Sequence, residues 1–142
     1  MSLIRKNAEE WKVYEDKIAV LGFSAGGHLA GCAATMAKEK PNAALLGYAV
    51  TKASDVALCE PEGPDVNAAV DEHTCPCFVF AACNDQIVPI SNSLAFLQAL
   101  AQHGVTFESH IYAYGHMDFL QGTPLFSCKD TDVQSYSKLG RG

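Results

Sequence analysis

Three residues, in a fixed order along the chain, carry the chemistry this sequence can perform. Ser24 stands inside Gly22-Phe23-Ser24-Ala25-Gly26, between a strand-like apolar run, Ile18 to Leu21, and a helix-like run. A serine hydroxyl is a poor nucleophile at neutral pH unless a histidine takes its proton and a carboxylate holds that histidine in the right tautomer. Asp85 follows an apolar run in Ala81-Ala82-Cys83-Asn84-Asp85-Gln86-Ile87-Val88-Pro89, and His116 follows another that ends at Tyr114. Serine, aspartate, histidine is a chain order that serves acyl transfer from a strand-turn-helix hinge. Such a hinge strains the backbone and crowds the positions two before and two after the serine, where Gly22 and Gly26 stand.

Those side chains need elements to hold them. Ile4, Ala8 and Trp11 are spaced for a short amphipathic helix ending near Tyr14. A strand is expected over Ile18 to Phe23, then a helix that turns Leu29, Cys32, Ala33, Met36 and Ala37 to the sheet and has ended by Pro41. Ala44 to Val50, Phe78 to Cys83 and His110 to Tyr114 are three further strand candidates. Ser91 to His103 reads as a helix with Leu94, Leu97, Leu100 and Ala101 on one face and Gly104 as its stop. Thr51 to Thr74 reads as a loop or small lid with one helical turn, and residues 121–142 as a weakly ordered tail. Strands alternating with helices predict an α/β fold with a mostly parallel sheet of about four strands, in one domain. In such sheets ligand sites gather at the carboxyl ends of the strands, which sends all three residues to the same rim.

Other residues compete for roles. Asp55 and Asp65 are rival carboxylates in the loop after the second strand. His28, on the helix after Ser24, reads as a packing or backbone-bonded residue, and His73, His103 and His110 as loop or surface groups. The six cysteines, Cys32, Cys59, Cys75, Cys77, Cys83 and Cys128, read as reduced thiols. Cys75-Pro76-Cys77 has one residue between its thiols, and no second pair completes a zinc set, so neither metal nor cofactor is expected.

A length of 142 residues with 49% hydrophobic content suits a single globular unit. The net charge of -6 with scattered Lys and Arg argues against nucleic acid as a partner. No apolar stretch approaches the roughly 20 residues of a membrane span. Met1-Ser2-Leu3-Ile4-Arg5-Lys6 lacks the apolar centre of a signal peptide, so the chain reads as cytoplasmic.

Four stretches together resemble the α/β-hydrolase superfamily, in particular its acetylxylan esterase and carboxylesterase-like branch. They are Trp11 to Ala19; Gly22-Phe23-Ser24-Ala25-Gly26-Gly27-His28-Leu29-Ala30; Asn84 to Pro89 with Ser91-Asn92-Ser93; and Tyr114-Gly115-His116-Met117-Asp118-Phe119. The resemblance implies ester hydrolysis with Ser24 as nucleophile, His116 as base then acid, Asp85 as its orienter and the Ala25 N–H in the oxyanion hole. It also points to Met117 and Phe119 as substrate-binding residues. A second oxyanion donor would come, in that family, from a His-Gly-Gly type loop for which nothing before Leu3 offers a counterpart. The chain is therefore expected to correspond to the C-terminal half of such an enzyme, and losing one donor costs about 10² to 10³ in rate.

Three functions follow as alternatives: a serine esterase of small acyl esters such as sugar acetates, a catalytically impaired and self-associating module, and a peptidase of the prolyl-oligopeptidase type, which shares GxSxGG and the residue order. With no strand ahead of it, Ile18 to Phe23 would be a sheet edge, through which homo-oligomerisation is expected.

Overall fold

The computed structural model describes residues 1–57 and 62–114. Two short helices, α1 (Ser2–Lys6) and α2 (Ala8–Trp11), lead into β1 (Ala19–Phe23), α3 (Ala25–Thr35), β2 (Ala43–Gly47), α4 (Ala53–Val56), β3 (Cys77–Ala82), α5 (Ser91–Gln102) and β4 (Phe107–Tyr112). The four strands form one sheet in the order β1-β2-β3-β4, every pairing parallel. The α/β architecture is the expected one, and α4 is the single helical turn expected in the loop after β2.

A right-handed crossover repeated in one direction across a sheet sets its connecting helices on one face. The core is continuous there. Ala30 and Ala34 of α3 and Phe96, Ala99 and Leu100 of α5 meet Ala44, Leu46, Cys77 and Val79 of the strands, with Val66 and Val70 from the β2–β3 connection. On the opposite face Leu45, Phe78 and Phe80 are half-buried and Leu21 is 58% exposed.

Several expectations are corrected in detail. The opening helix is two pieces, broken at Asn7 and closed by Lys12 in the left-handed region at φ 54°. The face that α3 buries is Gly27, Ala30, Gly31, Ala34 and Thr35, whereas Leu29 is 70% exposed and Met36 turns outward. Close approach to a sheet favours the smallest side chains: a Cβ on Gly31 would lie 2.8 Å from a Val66 methyl, and one on Gly27 would lie 2.5 Å from the Ala49 Cβ. α5 ends beside Gly104 at φ 66°, as expected, but buries Asn92, Ser93, Phe96, Ala99 and Leu100, while Leu94 and Ala101 face outward. β4 begins three residues earlier than the apolar run at His110 suggested, because four of its six residues are exposed and its composition is correspondingly polar.

Arg5 fastens α1 to the N-terminal end of the sheet, its Nη2–H donating to the Lys40 carbonyl at 3.0 Å and its Nε–H to the Glu15 carbonyl at 3.1 Å. A depression of about 660 Å³ lined by Arg5, Ala8, Glu9, Val13, Tyr14 and Glu15 lies at that end, away from Ser24. No helix among the described residues is long and apolar enough to cross a membrane.

Candidate functional site

β1 ends at Phe23 and α3 begins at Ala25, so Ser24 alone makes the turn. It does so at φ 53°, ψ −121°, a region that L-residues avoid unless the surroundings impose it. The surroundings are backbone. The Ser24 N–H donates to the Gly47 carbonyl at 3.0 Å, and the Ser24 carbonyl accepts the His28 N–H at 3.1 Å and the Val50 N–H at 3.4 Å. Gly22 permits the turn, since a Cβ there would run into the Gly26 carbonyl and lie 2.8 Å from the Gly27 nitrogen. Gly26 does not need to be glycine for the reason expected: among the described residues nothing lies within 4 Å of a Cβ placed on it. Gly27 is the second crowded position, pressed against Ala49.

Ala25 occupies the first turn of α3, where N–H groups have no intrahelical acceptor and the helix dipole favours negative charge. Ser24 itself is partly exposed at this rim.

Asp85 lies in the turn after β3. Its Oδ1 accepts the N–H of Ile87 at 2.8 Å and of Val88 at 2.9 Å, which fixes the carboxylate against its own loop. Its Oδ2 makes no hydrogen bond among the described residues. The carboxylate's charge reaches Tyr48, whose hydroxyl is pushed above the usual phenol range first by burial and then by Asp85. Tyr48 follows Gly47, the residue bonded to Ser24, and its ring lies 5.8 Å from that of Phe23. The structure thus brings the Ser24 turn and the Asp85 carboxylate to the same end of the sheet, on either side of Tyr48. Neighbouring strands are about 4.8 Å apart, so the ends of β1 and β3 are separated by about 10 Å. His116, Met117 and Phe119 lie outside the described residues, as do residues 121–142.

The rival carboxylates, Asp55 and Asp65, are hydrogen-bonded as well. Asp55 accepts a hydrogen bond from the Asn92 amide, and Asp65 accepts the N–H groups of Ala53 at 3.2 Å and Ala68 at 3.0 Å. His28 is backbone-bonded as expected, with Nδ1 2.9 Å from the Val50 carbonyl. A carbonyl only accepts, so Nδ1 carries the proton and Nε2 accepts from the Cys32 thiol at 3.5 Å. Burial raises the Cys32 thiol above its ordinary value. His73, His103 and His110 are exposed, the last stacked on Tyr112 at 4.0 Å between ring centres. Cys32, Cys75, Cys77 and Cys83 are free thiols. Cys77 donates to the Cys75 carbonyl at 3.2 Å, and contact between the two side chains drives Cys75 down and Cys77 up.

Two residues near the rim escaped the sequence reading. Tyr48 sits at φ 35°, which no local signal announces. Asn92 is fully buried at the start of α5, although the serine-flanked string that holds it stood out.

The BD-FAE family model matches residues 1–57. An acetylxylan esterase of Xylanibacter ruminicola is 28% identical over 142 residues, a match covering 85% of this chain and 30% of that protein. The crystal structure of an acetyl ester-xyloside bifunctional hydrolase from Caldicellulosiruptor lactoaceticus superposes with a TM-score of 0.75 at 28% identity, over 97% of this chain and 62% of that one. An alpha/beta hydrolase enzyme from a Medee basin deep-sea metagenome gives a TM-score of 0.75 at 33% identity, over 97% of this chain and 57% of that one. The chain spans between a fifth and a third of the length of the curated relatives it matches, 22% and 30%.

Proposed function

Since the chain belongs to the α/β-hydrolase superfamily, in its acetylxylan esterase and carboxylesterase-like branch, we propose that it hydrolyses small carboxylic esters, sugar acetates among them, through an acyl-enzyme on Ser24. The observation that carries this reading is the turn at Ser24, φ 53° and ψ −121°, at the mouth of a parallel sheet and the head of α3. That conformation is costly, about 1 to 3 kcal/mol, and is kept where a hydroxyl has to be presented clear of the sheet.

In this mechanism His116 takes the Ser24 proton as the hydroxyl attacks the ester carbonyl, then gives it to the departing alcohol. Asp85 holds the imidazole, offering Oδ2 while Oδ1 is engaged by its own loop. The Ala25 N–H, strengthened by the α3 dipole, receives the charge that develops on the carbonyl oxygen. Water then repeats the sequence on the acyl-enzyme. Met117 and Phe119 contact the acyl group.

Turnover of p-nitrophenyl acetate by the wild-type chain and by Ser24→Ala tests the proposal. Turnover that disappears with the hydroxyl supports it, and equal rates for the two proteins reject it. A fluorogenic dipeptide cleaved in preference to the ester would move the assignment to peptide bonds.

A further inference from the structure

Ser24 and Asp85 follow different strands, yet hydrogen bonds linked by short stretches of backbone join their loops, through one buried side chain that has no place in the chemistry. It begins at the elbow. Ser24 accepts the Val50 N–H, the Val50 carbonyl lies 2.9 Å from His28 Nδ1, and the His28 N–H returns to Ser24, a closed ring that ties the strained turn to the segment after β2. The next two residues of that segment bind Asn92: the N–H groups of Thr51 and Lys52 donate to its Oδ1 at 2.9 and 3.0 Å, and the Thr51 hydroxyl donates to its carbonyl at 2.8 Å. The Nδ2 of Asn92 donates to Asp55 Oδ2 at 2.6 Å and to the Pro89 carbonyl at 3.2 Å. Pro89 follows Val88, whose N–H holds Asp85 Oδ1.

Asn92 is wholly buried, and its carboxamide oxygen and nitrogen are both fully engaged. Burying an amide is costly unless every group is paired, and an aliphatic residue would fill the space without that demand. A carboxamide alone offers acceptor and donor on one rigid plane, so it can hold two backbone N–H groups of one loop and a carbonyl of another. We propose that Asn92 is a positioning residue that sets the separation between the Ser24 elbow and the Asp85 loop. This inference rests on the ester-hydrolase reading for its kinetic consequence, but not for its structural one.

Asn92→Asp is the informative change, because it keeps the shape and the oxygen that serves Thr51 and Lys52 while turning an acceptor toward Asp55 and the Pro89 carbonyl. The pair Asn92→Asp with Asp55→Asn restores the bond to residue 55 but still sets an acceptor against the Pro89 carbonyl, the link that leads to the Asp85 loop. Misplacement of a catalytic group by about 1 Å costs up to about 10²-fold in rate. In Asn92→Asp, kcat on p-nitrophenyl acetate should fall at least tenfold with KM little changed. The acid limb of its pH profile should move to lower pH, as a displaced Asp85 no longer supports the imidazolium of His116. Amide hydrogen exchange should quicken at Ile87 and Val88. The double variant, which mends only the contact with residue 55, should keep most of both defects.

Unchanged exchange at Ile87 and Val88, quickened exchange without a change in kcat, or full recovery in the double variant, which would show that the bond to the Pro89 carbonyl is dispensable, would each overturn the proposal. Should Asn92→Asp be too unstable to purify, Thr51→Val removes only the hydroxyl donor and should show the same changes at smaller size; its failure to do so counts equally against the clamp. A wild-type chain without Ser24-dependent turnover would remove the ester-hydrolase reading, while the exchange measurements would still decide whether Asn92 ties the two loops together.

Discussion

Gly22 and Gly26 flank Ser24 symmetrically in sequence, and the structure predicts opposite outcomes for replacing them with alanine. A Cβ on Gly22 would lie 2.8 Å from the Gly27 nitrogen, against 3.4 Å where ordinary contact begins, and would strike the Gly26 carbonyl more severely. Both obstacles are backbone of the first turn of α3, which cannot rotate aside as a side chain does. Overpacking of this kind costs about 1 to 3 kcal/mol, and the upper end applies where no rotamer relieves it. A Cβ on Gly26 meets nothing within 4 Å among the described residues, and the residue does not occupy positive φ. Replacing a helical glycine by alanine gains about 0.5 to 1 kcal/mol. The two variants should therefore differ by about 4 kcal/mol, or about 2 M in urea midpoint for a slope near 2 kcal/mol per molar. Urea unfolding followed by circular dichroism reads the difference directly. Equal midpoints, or a Gly22→Ala protein as stable as wild type, would refute the claim that close approach of α3 to β1 dictates glycine at that position.

Three other outcomes follow from the same structure. Among the described residues β1 pairs only with β2 and carries the exposed Leu21, so light scattering should detect self-association that weakens in Leu21→Lys; a monodisperse monomer at high concentration would reject an edge contact. Alkylation of the native protein with iodoacetamide at pH 8 should modify the exposed Cys83 and spare Cys77, whose thiol is raised by its contact with Cys75 and by burial; peptide masses showing Cys77 modified as fast as Cys83 would contradict this. The Asp71 carboxyl is held below its usual range first by its hydrogen bond from Lys40, which donates at 3.1 Å. A depressed folded value means the pair's stabilisation is present above the unfolded carboxylate pKa of about 3.9 and is lost as pH falls through the folded value. Lys40→Met should thus be less stable than wild type at pH 7 and indistinguishable from it near pH 2 by urea unfolding; a gap that persists in acid would assign the loss to packing.

The strands and the turn at Ser24 are legible in the sequence because each is announced locally, by an apolar run or by glycines beside a serine. The helix faces are not. Hydropathy singles out Leu29 and Met36 on α3, whereas the sheet selects Gly27, Ala30, Gly31 and Ala34, since small residues let the helix axis approach closely. On α5 the buried face opens with Asn92 and Ser93, and the side chain of Asn92 finds its partners 37 to 41 positions away. β4 is misread by three residues because its side chains are mostly exposed and leave no alternation to count. Tyr48 owes its strained backbone and its place beside Asp85 to the meeting of three strands, which no window of neighbouring residues encodes.

The account turns on Ser24 being activated by Asp85 and His116, and a fluorophosphonate probe tests that most directly. The adduct should map by peptide mass to Ser24, and its rate of formation should fall by about 10² or more in Asp85→Asn and in His116→Ala, since an unsupported serine hydroxyl is barely nucleophilic. An adduct on another residue, or one that forms on Ser24 at the same rate without those partners, would contradict it.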